Sequence, residues 1–216
     1  MAELKEGIFG GISGRIGGFV GVQWRGRSLL RTWPGKSSKK ATPAQKLQRD
    51  KFRLVSGFVS KVSEAVKLYY PPAIVNGKKV SGKEQLISLL IKKGIEVING
   101  EPHLLIDQAL LAVGTLPVAH SVEIHQIADT TIRITWDTSL MNILAHQEDK
   151  LTLCLYCEKQ DKCFVGIQIA ERQKGEIELP VLFLPKVKRL HFWTIWESSQ
   201  EKRNSSSQYH QFIKED

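Results

Sequence analysis

In Ile132-Arg133-Ile134-Thr135-Trp136, apolar and polar side chains alternate strictly. A helix would scatter the three apolar groups around its axis, whereas a strand gathers them on one face. Leu151-Thr152-Leu153-Cys154-Leu155 repeats the pattern, and Phe192-Trp193-Thr194-Ile195-Trp196 adds an aromatic strand. Outward from these, extended segments near 104–113, 121–127, 130–137, 151–157, 163–171, 176–180, 188–197 and 207–213 are separated by polar or turn residues at the intervals of a sandwich. The C-terminal half therefore reads as all-β. Trp136 is expected to anchor the space between two sheets. Trp193 and Trp196 are an odd number of residues apart, so at most one is expected to face inward, leaving the other for contacts.

Upstream, Thr42-Pro43-Ala44-Gln45 is a helix start. Thr42 suits the N-cap, Pro43 has its φ preset for the first helical position, and Gln45 is spaced to reach back. Leu47, Leu54, Val55, Phe58, Val62, Val66 and Tyr69 then form one apolar stripe, until Pro71-Pro72 stops the run. Ser81-Gly82-Lys83-Glu84 is a second capping box and predicts a short helix near 82–93 that ends at Gly94, with a strand as the alternative.

The N-terminus carries the charge. Arg15, Arg25, Arg27, Arg31, Lys36, Lys39, Lys40, Lys46 and Arg49 lie in residues 7–49, which contain no Asp or Glu. The whole chain has 31 Lys and Arg against 22 Asp and Glu, so this segment holds the entire net charge of +9. Val20, Val22 and Trp24 alternate with Gly21 and Gln23 before Arg25-Gly26-Arg27, which predicts a hairpin over 19–33 with its basic residues at and beside the turn. Ile8, Ile12 and Ile16 have helical spacing, but the glycines among them cost about 1 kcal/mol each in a helix, and an isolated helix there would not hold. Residues 34–40 read as a short basic linker.

Composition narrows the function. At 216 residues and 42% hydrophobic content the chain has enough apolar surface for one good core or two small domains. A pI near 9.5 points to nucleic acid, an anionic membrane or an acidic protein as partner. Glu3, Glu6 and Arg15 interrupt the pattern of a secretory leader, and no long uncharged apolar run occurs, so a cytoplasmic location is expected and membrane association is not. Gly10, Gly14 and Gly18 repeat four apart as a small-residue membrane face would, but Arg15 and the short apolar length weaken that reading.

Residue-level chemistry is sparse. Cys154, Cys157 and Cys163 are an odd number in a chain of this size and are expected reduced; in a strand, Cys154 and Cys157 would point to opposite faces, and no metal site is expected. Gly35-Lys36-Ser37 has the end of a phosphate-binding loop, but Leu30 stands where its first glycine belongs, and no dinucleotide glycine fingerprint occurs. The six histidines are scattered and are expected at the surface or at edges; Glu123 and His125 are spaced to meet on one strand face. No catalytic residue and no cofactor is expected, and the chain reads as a non-enzyme.

Gly11-x-x-Gly14-x-x-Gly17, Val20-Gly21-x-x-Trp24-x-Gly26, Arg31-x-x-Pro34 and Thr42-Pro43-Ala44-Gln45-x-x-Gln48-Arg49-x-x-Phe52 follow in one order. In this the chain resembles a Bacteroidota family known as a domain of unknown function. The likeness continues through Leu105-Ile106-Asp107, Gly114-Thr115-Leu116-Pro117, Ile134-Thr135-Trp136-Asp137 and Ser205-Ser206-Ser207-Gln208-Tyr209, with residues 76–101 unmatched. The resemblance implies an N-terminal motif region and a C-terminal half like a fibronectin type III or immunoglobulin sandwich, with no activity attached. The helix start is also similar to one in some phage-related proteins.

The expected fold class is α+β and mainly β: a glycine-rich basic arm with a hairpin at 1–40, a helical and mixed region at 41–117, and an immunoglobulin/fibronectin III-like antiparallel sandwich at 118–216. The leading function is a structural or interaction protein that docks on other subunits or on copies of itself, in an assembly of phage or virion type. The alternative is DNA or RNA binding by the basic arm. Both readings use Arg15, Trp24, Arg25, Arg27, Arg31, Trp33, Lys36, Lys39 and Lys40, the cations for phosphates or carboxylates and the indoles as flat apolar anchors.

Overall fold

The computed structural model describes residues 12–35, 40–140 and 142–214, with the backbone of 3–4. The chain divides into two compact units, 1–42 and 43–216. The first is an antiparallel sheet in the order β1-β2-β3-β4, formed by β1 (Glu3–Leu4), β2 (Ile12–Ile16), β3 (Phe19–Trp24) and β4 (Arg27–Thr32). The expected hairpin is β3 with β4. Arg25 and Gly26 make its turn at φ 50° and 75°. Left-handed backbone at both positions gives a turn whose twist matches that of the strands, and Gly26 takes it without steric cost.

The second unit begins with α1 (Pro43–Lys61) and α2 (Ser63–Tyr69). These are the one helix expected from the apolar stripe, interrupted at Val62, and the stripe runs through the break, with Val55, Phe58, Val59, Val62, Ala65 and Val66 buried. Tyr70 turns extended, as the residue before a proline prefers. Residues 76–101, which had no match in the resemblance, lie within two small hairpins around α3 (Gly82–Lys93): β5 (Ala73–Val75) with β6 (Lys78–Val80), and β7 (Ile95–Ile98) with β8 (Glu101–Leu104). Ser81 caps α3, its hydroxyl accepting from the Glu84 amide at 3.4 Å while its own amide donates to the Glu84 carboxylate at 2.9 Å.

The extended segment expected at 104–113 is not a strand beyond Leu104. Its backbone finds partners outside any ladder: the Leu111 amide donates to the Ser207 hydroxyl at 2.8 Å, the Val113 amide to the Tyr69 carbonyl at 3.0 Å, and the Ala109 carbonyl accepts from the Trp193 indole at 2.8 Å.

Seven strands build the sandwich. β9 (Glu123–Ala128), β10 (Thr131–Thr135) and β13 (Glu176–Pro180) form one sheet in the order β13-β10-β9. β11 (Lys150–Cys157), β12 (Lys162–Glu171), β14 (Arg189–Glu197) and β15 (Gln208–Ile213) form the other, in the order β12-β11-β14-β15. Every pairing is antiparallel. Placing the first, second and fifth strands in one sheet and the rest in the other is the arrangement of an immunoglobulin/fibronectin III-like sandwich, so the expected fold class holds.

Ile132, Ile134, Trp136, Leu151, Leu153 and Trp196 fill the space between the sheets, with Trp136 edge-on to Trp196 at 5.5 Å. Trp193, Cys154 and Tyr156 point the other way, into a second core with Val55, Phe58 and Leu86 of the helices. Trp193 is therefore buried as fully as Trp196, and the expectation that one of them is left for contacts is corrected: helices cover the face assumed to meet solvent. At roughly 25 cal/mol per Å² over the ~200 Å² of a tryptophan, that burial contributes at most about 5 kcal/mol. Residues 43–117 and 118–216, expected as separate regions, share this second core.

At the end of the sandwich where β11 begins and β12 ends, Arg172 and Asp149 form a buried ion pair, 2% and 0% exposed. The guanidinium lies 4.3 Å over the Trp196 ring and donates to the Pro117 carbonyl at 2.8 Å, while the Trp136 indole donates to the Arg172 carbonyl at 2.8 Å.

Candidate functional site

Strand pairing sorts the N-terminal sheet into two unlike faces. Arg15 pairs with Val20, and Val20 with Arg31; Leu29 pairs with Val22, and Trp24 with Arg27. Because side chains alternate along each strand, these residues share a face, and Trp33 continues the same parity. The Arg15 guanidinium lies 4.5 Å over the Trp33 ring, and that of Arg25, at the turn, 5.1 Å over Trp24. Stacking on an indole holds a guanidinium flat, and the Arg15 Nε–H also donates to the Gly17 carbonyl at 3.1 Å.

The opposite face holds Ile12, Ile16, Phe19 and Leu30, with Gly14 and Gly21 between them, and no charged side chain among the described residues. Gly21 is required there: a Cβ at that position would meet the Ile12 carbonyl oxygen at 2.1 Å. Neither face is closed. Ile16, Phe19, Trp24, Leu29, Leu30 and Trp33 are each 46–58% exposed.

Of the residues singled out from the sequence, the structure brings together Arg15, Trp24, Arg25, Arg27, Arg31 and Trp33 on one face. Lys40 is exposed in the segment before α1. Lys36 and Lys39 lie outside the described residues. Sequence reading missed the neutral apolar face, although the register of the hairpin already implies it: Phe19 and Leu30 flank Gly21 on the parity opposite to the arginines.

In the second unit, His191 contradicts the expectation of surface histidines. It is 3% exposed, with Nε2 2.6 Å from the Glu158 carboxylate and Nδ1 2.7 Å from the Tyr209 hydroxyl. Burial holds its pKa below the usual imidazole value, against the pull of Glu158. Both ring nitrogens are engaged, which makes the cluster a tie between β14, β15 and the turn after β11. Glu123 and His125 do meet on one strand face, at 3.1 Å. Among the described residues no group of three His, Cys, Asp or Glu side chains is placed to hold a metal ion, and no helix is long and apolar enough to cross a membrane.

Fold and site together define a fibronectin III-like β-sandwich protein that carries a two-faced accessory sheet. The chain belongs to the family of unknown function DUF6266, whose model matches residues 11–206. No curated protein matches the sequence. Among solved structures it is similar to the third fibronectin III domain of human KIAA0343 protein, at 10% identity and a TM-score of 0.37, over 47% of this chain and 82% of that one.

Proposed function

We propose that this is a non-enzymatic interaction protein that docks on neighbouring copies of itself, within a larger assembly, through the neutral face of its N-terminal sheet. One observation carries the reading: among the described residues of the sheet, Ile16, Phe19 and Leu30 are about half exposed and are grouped on a face that carries no charge. A sheet gains stability by burying a face, and exposed apolar groups of this kind mark contact surfaces. Fibronectin III-like sandwiches are commonly protein-interaction modules, a fold-level analogy in the same direction. The finer reading of a phage- or virion-type assembly rests on the resemblance of the Thr42-Pro43-Ala44-Gln45 helix start, and that of a Bacteroidota source on the resemblance of the whole motif series. Light scattering of the full chain tests the proposal: a defined oligomer is expected that Leu30→Glu dissolves. A strict monomer at high concentration overturns it.

A second reading is favoured by the other face, where four arginines sit beside two indoles. Nucleic-acid binding there would place Arg15, Arg25, Arg27 and Arg31 on phosphates with Trp24 or Trp33 stacked on a base. Its test is binding that weakens steeply with salt and is lost on replacing Arg25, Arg27 and Arg31 by alanine; binding indifferent to both counts against it.

A further inference from the structure

The three cysteines are not equivalent. Tyr156 pairs with Cys163, and Cys154 with Val165, so Cys154 and Cys163 are diagonal neighbours on the helix-covered face of the four-stranded sheet. Cys157, at an odd offset from Cys154, lies in the core between the sheets instead. The Sγ atoms of Cys154 and Cys163 are 2.9 Å apart, with both thiols free. A disulfide bond is about 2.05 Å long, so bond formation needs the two sulfurs to close by less than about 1 Å.

We propose that Cys154 and Cys163 are a redox modification site that closes to an intramolecular disulfide by exchange with a small-molecule disulfide, with Cys157 excluded by its place on the other face. This inference is independent of the role of the N-terminal sheet. Cys163 is partly exposed and Cys154 is buried, which sets the order of events. The Cys163 thiolate attacks the external disulfide, forms a mixed disulfide and releases one small thiolate. Cys154 then loses its proton, its sulfur attacks Cys163 Sγ, and the second small thiolate leaves. Two protein thiols are oxidised, one external disulfide is reduced to two thiols, and the two protons pass to the departing thiolates. The Cys163 thiol beside it and burial both push the Cys154 thiol well above the ordinary cysteine range, so the second step is the slow one and quickens at alkaline pH.

The bond would tie the hairpin of β11 and β12 across its strands. That hairpin's turn places Asp161 against Lys61 of α1 and under the Tyr156 hydroxyl, which donates to it at 2.8 Å, so the cross-link reinforces the part of the sheet that grips the helices.

The test treats the full-length chain with glutathione disulfide, then denatures and alkylates it. Oxidation should remove about 2 Da, the mass of two hydrogen atoms, and the alkylated product should then carry one alkyl group where the untreated chain carries one on each of Cys154, Cys157 and Cys163. Peptide mapping should join Cys154 to Cys163 and find the alkyl group on Cys157 alone, and dithiothreitol should reverse the change. Cys157→Ala should form the same bond, while Cys154→Ser should stop at a glutathione adduct on Cys163. The mapping uses the unmodified sequence and so stands even where a variant fails to fold. An unchanged mass, a lasting adduct on Cys163 with Cys154 alkylated, a bond to Cys157, or a bond between two chains would each overturn the proposal.

Discussion

Replacing Asp149 by alanine strips the buried Arg172 of its counter-charge. The arginine is 2% exposed, and its other described partners are the Pro117 carbonyl and the face of Trp196. Removing one member of a buried ion pair costs about 3–5 kcal/mol, because the remaining charge has lost both water and partner. Asp149 also accepts hydrogen bonds from the His146 amide at 2.9 Å and the Ser199 amide at 3.4 Å, and losing these adds about 1 kcal/mol. The expected total is about 4–6 kcal/mol, a large share of the stability of an ordinary domain. Urea unfolding followed by tryptophan fluorescence measures it, since Trp136 and Trp196 both border the pair. With a slope of about 2 kcal/mol per M, the midpoint should fall by about 2–3 M. Pairing Asp149→Ala with Arg172→Met removes the stranded charge and should restore part of the loss. A single-variant cost below about 1 kcal/mol, or a double variant as costly as the two singles together, would refute the account.

Gly21→Val forces a side chain into the Ile12 carbonyl and should abolish self-association by light scattering, while near-UV circular dichroism still reports a packed sandwich. If single-stranded nucleic acid binds the arginine face, four phosphate contacts give a log–log salt slope of about −2.8, and the variant lacking Arg25, Arg27 and Arg31 should not bind. Burial lowers the folded-state pKa of His191 and His210, whereas unfolding returns each to about 6.5. The unfolded chain then binds more protons, so stability present above about pH 6.5 should be lost as pH falls below it, and a urea midpoint that rises on acidification would contradict this. Ser81→Ala removes one half of the α3 capping box and should cost about 1 kcal/mol in the same assay.

Local signals in the sequence carried most of the secondary structure. Ser81 and Glu84 bounded α3, Pro43 opened α1, and the alternation at 132–136 and 151–155 located β10 and β11, because caps and side-chain periods act within a few residues. Asn76-Gly77 and Asn99-Gly100 were equally local signals for the hairpins on either side of α3, since both turns take the left-handed backbone that Asn and Gly tolerate. The arginine face was half legible: the residues could be named, but their grouping needed the pairing of Arg15 with Val20 and of Val20 with Arg31.

By itself, the sequence determined α1, α3 and the strands of the sandwich, the sandwich class and the segregation of charge into the N-terminal segment, all properties of short windows or of simple counting. Only the tertiary structure decided what each face meets. Trp193 reads like a surface contact until α1 lies over it, His191 like an edge residue until Glu158 and Tyr209 close on it, and Cys163 like a spare thiol until Cys154 comes alongside. Burial and proximity depend on residues far away in the chain, and no local pattern records them.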